Sequence, residues 1–261
     1  MTATNRTNVV SSFTVIKGTM IPETYRVLAE WDLTLPKKTN LDRLRDENFI
    51  GTTSATWLRD VAFVLNRRFD PADRDLALVL LTKGGLPVAD WKPIMLWHMT
   101  RDEFLVRDFL IHWLYLQFED GAYRLRTEDV EVFLGTLRER GGETEGDWSE
   151  STRNRVAGAL LKSAVDFGLL RGTQTKEFAS YHLPERSFLY LLHALRDQLT
   201  SPTKIIESPE WRMFLMAPQD VERELLRLHQ YRKLHYEAAG SLAQLTLPYD
   251  SALDYAQAIA A

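Results

Sequence analysis

The sequence predicts a mainly α-helical globular protein with helix-turn-helix elements and one small β-hairpin wing. Three observations carry that expectation. Apolar residues recur at i, i+3, i+4 and i+7 along most of the chain, as in Trp57, Leu58, Val61, Val64 and Leu65. Helix breakers fall between these runs, at Pro36, Gly84-Gly85, Gly121, Gly141-Gly142 and Gly168. Two short extended runs, 169–171 and 178–183, flank a turn over 172–176 and give the clearest hairpin signal in the chain.

Taken in order, Pro22 suits a first helical position and starts a helix through residue 31. The Pro36-Lys37-Lys38 break precedes a short helix over 41–47, and after a turn at 49–53 a longer helix covers 54–69. Pro71 opens the next helix, which runs to 81; further helices are expected over 91–99 and 101–118. A short segment, 123–126, precedes a helix capped by Thr127 and running to 138, and a polar loop then leads to a helix over 149–166. Gly168 stops that helix, because glycine tolerates the left-handed conformation of a C-terminal cap. After the hairpin come helices over 187–199, 211–216 and 219–236, then an amphipathic piece over 251–259. These group as an N-terminal helical domain (1–120) with a candidate helix-turn-helix at 41–69, a winged helix-turn-helix segment (121–184), and a C-terminal helical segment (185–261) packing on the rest.

A chain of 261 residues with 45% hydrophobic and 26% charged side chains has ample length to bury a core. Lys+Arg 32 against Asp+Glu 36 gives a formal charge of -4, so any binding to nucleic acid must use locally gathered positive charge. The absence of cysteine removes disulfides, thiolate metal clusters and thiol nucleophiles. Residues 1–10 lack the apolar core of a secretory signal. The most hydrophobic stretch, 104–118, is interrupted by Arg107 and Asp108 and falls short of a membrane span. Trp97, Phe104, Phe109, Trp113, Tyr115 and Phe118 read as core aromatics around it, and a soluble, cytoplasmic protein without a membrane partner is expected.

No catalytic residue set, cofactor or metal is expected. The six histidines (His98, His112, His182, His193, His229, His235) show no ligand spacing, and no phosphate-loop, dinucleotide or nucleophile-elbow motif is present. Acidic groups such as Asp73/Asp75 and Glu128/Asp129/Glu131 fall at helix starts, where the dipole favours them.

The informative region is 127–183. Helix, loop, second helix and hairpin follow one another there, the linear order of a winged helix-turn-helix, whose second helix enters the major groove. On a wheel, Val156, Leu160, Ala164 and Phe167 gather on one face with Ala157 and Leu161 beside them. The opposite face carries Ser151, Arg155, Gly158 and Lys162, with Thr152 and Asn154 at its margins and Arg153 in the first turn; Gly158 would let a duplex approach closely. Hydroxyl, amide and guanidinium groups at a helix N-terminus suit phosphate oxygens and base edges. The hairpin adds Arg171 and Lys176. From 149 to 178 there are five basic residues against three acidic ones, whereas 119–147 has nine acidic against four basic. The bland reading is a solvated helix face with an incidental hairpin, or a winged module that docks protein.

A second helix pair, 41–47 and 54–69, offers Thr53, Ser54 and Arg59 and ends in Arg67-Arg68, with Lys37, Lys38, Arg43 and Arg45 ahead of it. It reads equally as an ordinary helical corner, since arginines also favour the negative end of a helix dipole. Arg227, His229, Arg232, Lys233 and His235 read as a solvated face, and Trp211 as core.

The segment 148–183, with its Ser149-Glu150-Ser151-Thr152-Arg153-Asn154-Arg155 start and Asp166-Phe167-Gly168-Leu169-Leu170 ending, resembles the BrxA family of bacteriophage exclusion (BREX) defence systems. The resemblance extends to Ser208-Pro209-Glu210-Trp211 through Tyr236 and to the helices from Thr24. It implies a mostly α-helical, non-enzymatic, cytoplasmic protein that binds double-stranded DNA and works beside a methyltransferase, an ATPase and a phosphatase-like protein. Some members of the family have been labelled inner-membrane proteins, which the interrupted apolar stretch argues against here. The family supplies no catalytic residues; the contact residues named above come from the wheel and from charge. An adaptor within the defence complex and an RNA-binding helical protein are the alternatives.

Overall fold

The computed structural model describes residues 8–144, 146–240 and 242–261. Residues 1–7 of the polar N-terminus lie outside them. Helices dominate, as the apolar periodicity predicts. β1 (Val9–Val10) and α1 (Ser12–Ile16) lead into α2 (Ile21–Ala29), with Pro22 in its first turn. α3 (Lys37–Glu47) begins directly behind Pro36, and α4 (Ala55–Arg68) is capped by Ser54, whose hydroxyl accepts the Trp57 N–H at 3.1 Å. Pro71 does not open the next helix. The Asp75 carboxylate instead accepts the Asp70 N–H at 2.6 Å and closes a turn, so α5 (Leu76–Lys83) starts five residues later than Pro71.

α6 (Val88–Met99) is followed by α7 (Phe104–Phe109), a π-helical turn (Leu110–Leu114) and α8 (Tyr115–Glu119). Trp97, Phe109, Trp113 and Tyr115 are buried here as expected, whereas Phe118 is exposed and meets Phe178 edge-on at 5.3 Å. No helix among the described residues is long and apolar enough to cross a membrane. α9 (Thr127–Gly135) starts where Asp129 accepts the Arg126 N–H at 2.7 Å. It ends earlier than the sequence suggests and passes through a short 3-10 turn (Arg138–Arg140). β2 (Glu143–Thr144) pairs in parallel with β1, Val9 opposite Glu143.

Behind Ser149, whose hydroxyl accepts the Thr152 N–H at 3.2 Å, runs α10 (Glu150–Asp166). β3 (Leu170–Arg171) and β4 (Glu177–Phe178) form the expected hairpin, and Leu125 exchanges both backbone hydrogen bonds with Lys176 at 2.9 Å. The segment ahead of α9 is thereby stitched to the arm behind α10.

α11 (Glu185–Arg196), α12 (Pro202–Ile206), a 3-10 turn (Pro209–Phe214) and α13 (Pro218–Gln230) follow. The helix expected over 219–236 stops at Gln230, because Arg232 takes the left-handed conformation (φ 58°) and the Lys233 N–H bonds back to Leu228 O at 3.0 Å. The chain then forms a second, longer hairpin, β5 (His235–Ala239) and β6 (Leu242–Thr246), where a single hairpin was expected. α14 (Ala252–Ala260) closes the fold against α5. One contiguous apolar cluster extends from Val10 to Ala256 and takes residues from all three segments named from the sequence, among them Trp91, Leu160 and Trp211.

Candidate nucleic-acid interface

α10 is amphipathic in the sense the wheel requires. Val156, Ala157, Leu160, Leu161 and Ala164 are buried, with Phe167 beside them, and α9 and α1 pack on that side. Ser151, Arg153, Asn154, Arg155 and Lys162 are exposed, while Thr152 is half-buried. A Cβ built on Gly158 meets nothing within 4 Å, so the middle of the outward face is open backbone. Arg171 is exposed and Lys176 half-buried on the hairpin.

Their local bonds differ. Thr152 completes the helix cap, its hydroxyl 3.0 Å from that of Ser149. Arg153 donates to Trp148 O at 3.1 Å, and the Asn154 amide donates to the Glu131 carboxylate on α9 at 2.8 Å. Lys162 pairs with Asp166 one turn on at 2.9 Å; Arg171 lies 3.4 Å from Glu177 across the hairpin. The Lys176 ammonium folds over its own turn, donating to the backbone carbonyls of Gly172, at 3.1 Å, and Thr173. Ser151 and Arg155 hold no side-chain hydrogen bond or ion pair among the described residues. Exposed pairs of this kind exchange readily with another anion, because each is worth only about 0.2–1 kcal/mol.

The upstream pair, α3 and α4, is partly withdrawn from the surface. Thr53, Ser54 and Arg59 are exposed at the start of α4, with Arg59 donating to the Thr56 hydroxyl at 3.3 Å. Arg68 is not a contact residue: its guanidinium is buried, paired with Glu103 at 2.9 Å and donating to Thr14 O and Gly18 O at 2.9 and 2.8 Å. Arg67 is half-buried and donates to Val9 O at 2.6 Å. Both arginines are spent tying α4 to the N-terminal segment, a use that their position at a helix C-terminus does not reveal. On the outward face of α4, Phe63 is 54% exposed and meets Phe13 edge-on at 5.4 Å.

One buried chain of polar groups has no counterpart among the expectations from sequence. Asp75 holds His98 Nδ1 at 2.6 Å, and His98 Nε2 faces the Tyr190 hydroxyl at 2.7 Å. Arg74 and Arg101 flank the carboxylate at 3.5 and 3.6 Å. Asp75 does more than meet a helix dipole, therefore: it ties α5, α6 and α11 together. Burial pushes the His98 imidazole below its ordinary pKa, so it is neutral, donating from Nδ1 and accepting from Tyr190. Asp75 stays ionised, its pKa held down by the His98 hydrogen bond against the cost of burial. All three side chains are sealed from solvent, which makes this a structural knot, and only the pairing of an acid with a histidine in space could have revealed it. The C-terminal cations form a solvated, self-paired face, with Arg227 on Glu224 and Glu185 and Lys233 near Glu185.

Compared with known families, the chain matches the BrxA family model over residues 11–194, a span that takes in α1 to α10, the first hairpin and most of α11. No curated protein matches the chain.

Proposed function

The chain belongs to the BrxA family and is thus a protein of BREX phage defence, and from that premise we propose that it binds double-stranded DNA through the outward face of α10 and the β3–β4 hairpin. The observation that carries this reading is the open face of α10. Ser151, Arg155 and Lys162 stand exposed around a glycine on which a Cβ would meet nothing within 4 Å among the described residues. Helix α9, helix α10 and a hairpin stitched back to Leu125 are arranged in the order of a winged helix-turn-helix, which favours insertion of α10 in a groove with the hairpin along the backbone.

In this role Arg155, Lys162, Arg171 and Lys176 meet phosphates, and Ser151, Thr152, Arg153 and Asn154 meet phosphates or base edges at the N-terminus of α10. Thr53, Ser54 and Arg59 are available for a second contact from α4. The proposed role is binding without catalysis, in company with other components of the defence system. A second reading, as a protein adaptor, is favoured by Val132 on α9, which is 78% exposed.

Titrating random duplex, single strand and structured RNA at several salt concentrations tests the reading. Duplex should be preferred, with an affinity that falls as salt rises because released counterions contribute to binding. Replacing Arg155 and Lys162 by alanine should lower duplex affinity several-fold, with far-UV circular dichroism unchanged. The salt slope should flatten by about one for each phosphate that is no longer neutralised. Equal affinity in the double variant would remove α10 from the interface; negligible duplex affinity at physiological salt would favour the adaptor.

A further inference from the structure

Resting on the reading that α10 and its hairpin seat a duplex, we propose that Glu131, Asp166 and Glu177 are specificity-determining residues of that surface, penalising ligands held by phosphates alone. Each carboxylate lies on a different element and each faces a different donor of the proposed surface. Glu131 on α9 takes the Asn154 amide at 2.8 Å, Asp166 at the end of α10 takes Lys162 at 2.9 Å, and Glu177 on β4 stands 3.4 Å from Arg171. Asp166 also accepts the Thr19 hydroxyl at 2.9 Å, which fixes it in place beside Lys162.

The ion pairs that Asp166 and Glu177 make with Lys162 and Arg171 contribute little to holding the fold. The side chains of Lys162 and Arg171 are 69% and 71% exposed, and exposed pairs of that kind are weakly stabilising. The effect of the carboxylates falls on an incoming polyanion. Of the cations on the surface, Arg155 alone has neither a carboxylate nor a carbonyl partner among the described residues; Arg153 and Lys176 donate to backbone carbonyls. A strand that tracks the surface by charge must place phosphates beside three fixed negative groups, and like charges in proximity reject a ligand that has no other source of affinity. A duplex that seats α10 in a groove gains base-edge and shape contacts that offset this repulsion. The carboxylates thus lower the affinity of the surface for polyanions in general more than for its proper ligand.

The test compares wild type, the triple variant E131Q/D166N/E177Q and the double variant E131Q/E177Q, which keeps the Asp166–Thr19 contact should the triple fold poorly. Each is titrated with random duplex and with the corresponding single strand across a salt series. Both variants should bind duplex more tightly than wild type at low salt, by roughly tenfold for the triple, with a salt slope steeper by about 0.9 for each additional phosphate neutralised. The preference for duplex over single strand should shrink. Wild-type binding combined with unchanged or weaker affinity in the variants overturns this inference while the DNA reading stands. A preference that does not shrink overturns it as well. If wild type and both variants all fail to bind, the DNA reading falls and the inference goes with it. Binding that emerges only in the variants overturns both, because a wild type that seats no duplex has no preference for the carboxylates to set.

Discussion

Arg68 and Arg155 are the same residue type at two positions offered by the sequence for the same role, and the structure uses them in opposite ways. Arg155 stands in solvent, whereas the Arg68 guanidinium is enclosed by Glu103, Thr14 O and Gly18 O. Removing one partner of a buried pair leaves an uncompensated charge, so Glu103→Ala should destabilise the fold by about 3–5 kcal/mol. Arg155→Ala should change stability by no more than about 0.5 kcal/mol. Urea midpoints of the two variants check this contrast, and a mild Glu103→Ala would mean that water reaches the pair. His98 carries a second residue-scale prediction. Its pKa is depressed from 6.5 by burial, so below that pH the unfolded chain takes up a proton that the folded chain refuses. The stability His98 contributes is complete above 6.5 and is lost as pH falls below it. His112 and His193 shift the same way, also through burial. Thermal midpoints should therefore drop between about pH 7 and pH 5, and His98→Asn should flatten that drop in part. A midpoint that holds steady over this window, in wild type, would contradict a neutral buried imidazole.

Two glycines show what an element needs from its sequence. A Cβ on Gly84 would lie 2.5 Å from Ala260 Cα, so α14 sits on α5 only because that side chain is missing. Gly84→Ala should cost about 1–3 kcal/mol, the usual penalty of overpacking, read from a urea midpoint. Gly158 is the opposite case, since its Cβ would meet nothing, and glycine inside a helix costs about 0.5–1 kcal/mol relative to alanine. Gly158→Ala should therefore raise the thermal midpoint; if a duplex backbone approaches α10 here, the same change should weaken duplex binding. A variant that is more stable and binds equally well would place the close approach elsewhere. Much at this scale is legible from sequence. Ser54 and Ser149 mark the starts of α4 and α10, and the hairpin behind α10 stands where Gly172 and its flanking runs put it, because caps and turns are local. The second hairpin is not legible. Leu234, Tyr236 and the alternation beyond them continue the apolar pattern of α13, and only the left-handed Arg232, a residue with no intrinsic preference for that conformation, ends the helix.

The whole molecule is held together by contacts whose separation in sequence hides them. Val9 pairs with Glu143, the Asn8 amide donates to Gly141 O at 3.0 Å, and Thr19 meets Asp166 at 2.9 Å. No periodicity in one sequence announces such pairs. The segment expected to act as a winged unit is therefore backed by the N-terminus: β1 borders the loop that precedes α10, and α1 packs on α10 itself. Val10 and Val15 are buried, and full burial of such side chains is worth about 1.5–3 kcal/mol each. Thr14 contributes its carbonyl to Arg68 and its hydroxyl to Glu103, the latter at 3.2 Å, so the same short segment also completes the buried ion pair. Deleting residues 1–18 should then act in two places at once. The thermal midpoint should fall, and amide hydrogens in the middle of α10, around Leu160, should exchange faster because the helix has lost one of its supports. Duplex affinity should decline with the ordering of α10, although the deletion removes none of the residues assigned to contact. Unaltered exchange along α10 in the truncated chain would show that α9 and the hairpin suffice to hold it, and that α1 serves the Arg68–Glu103 pair instead.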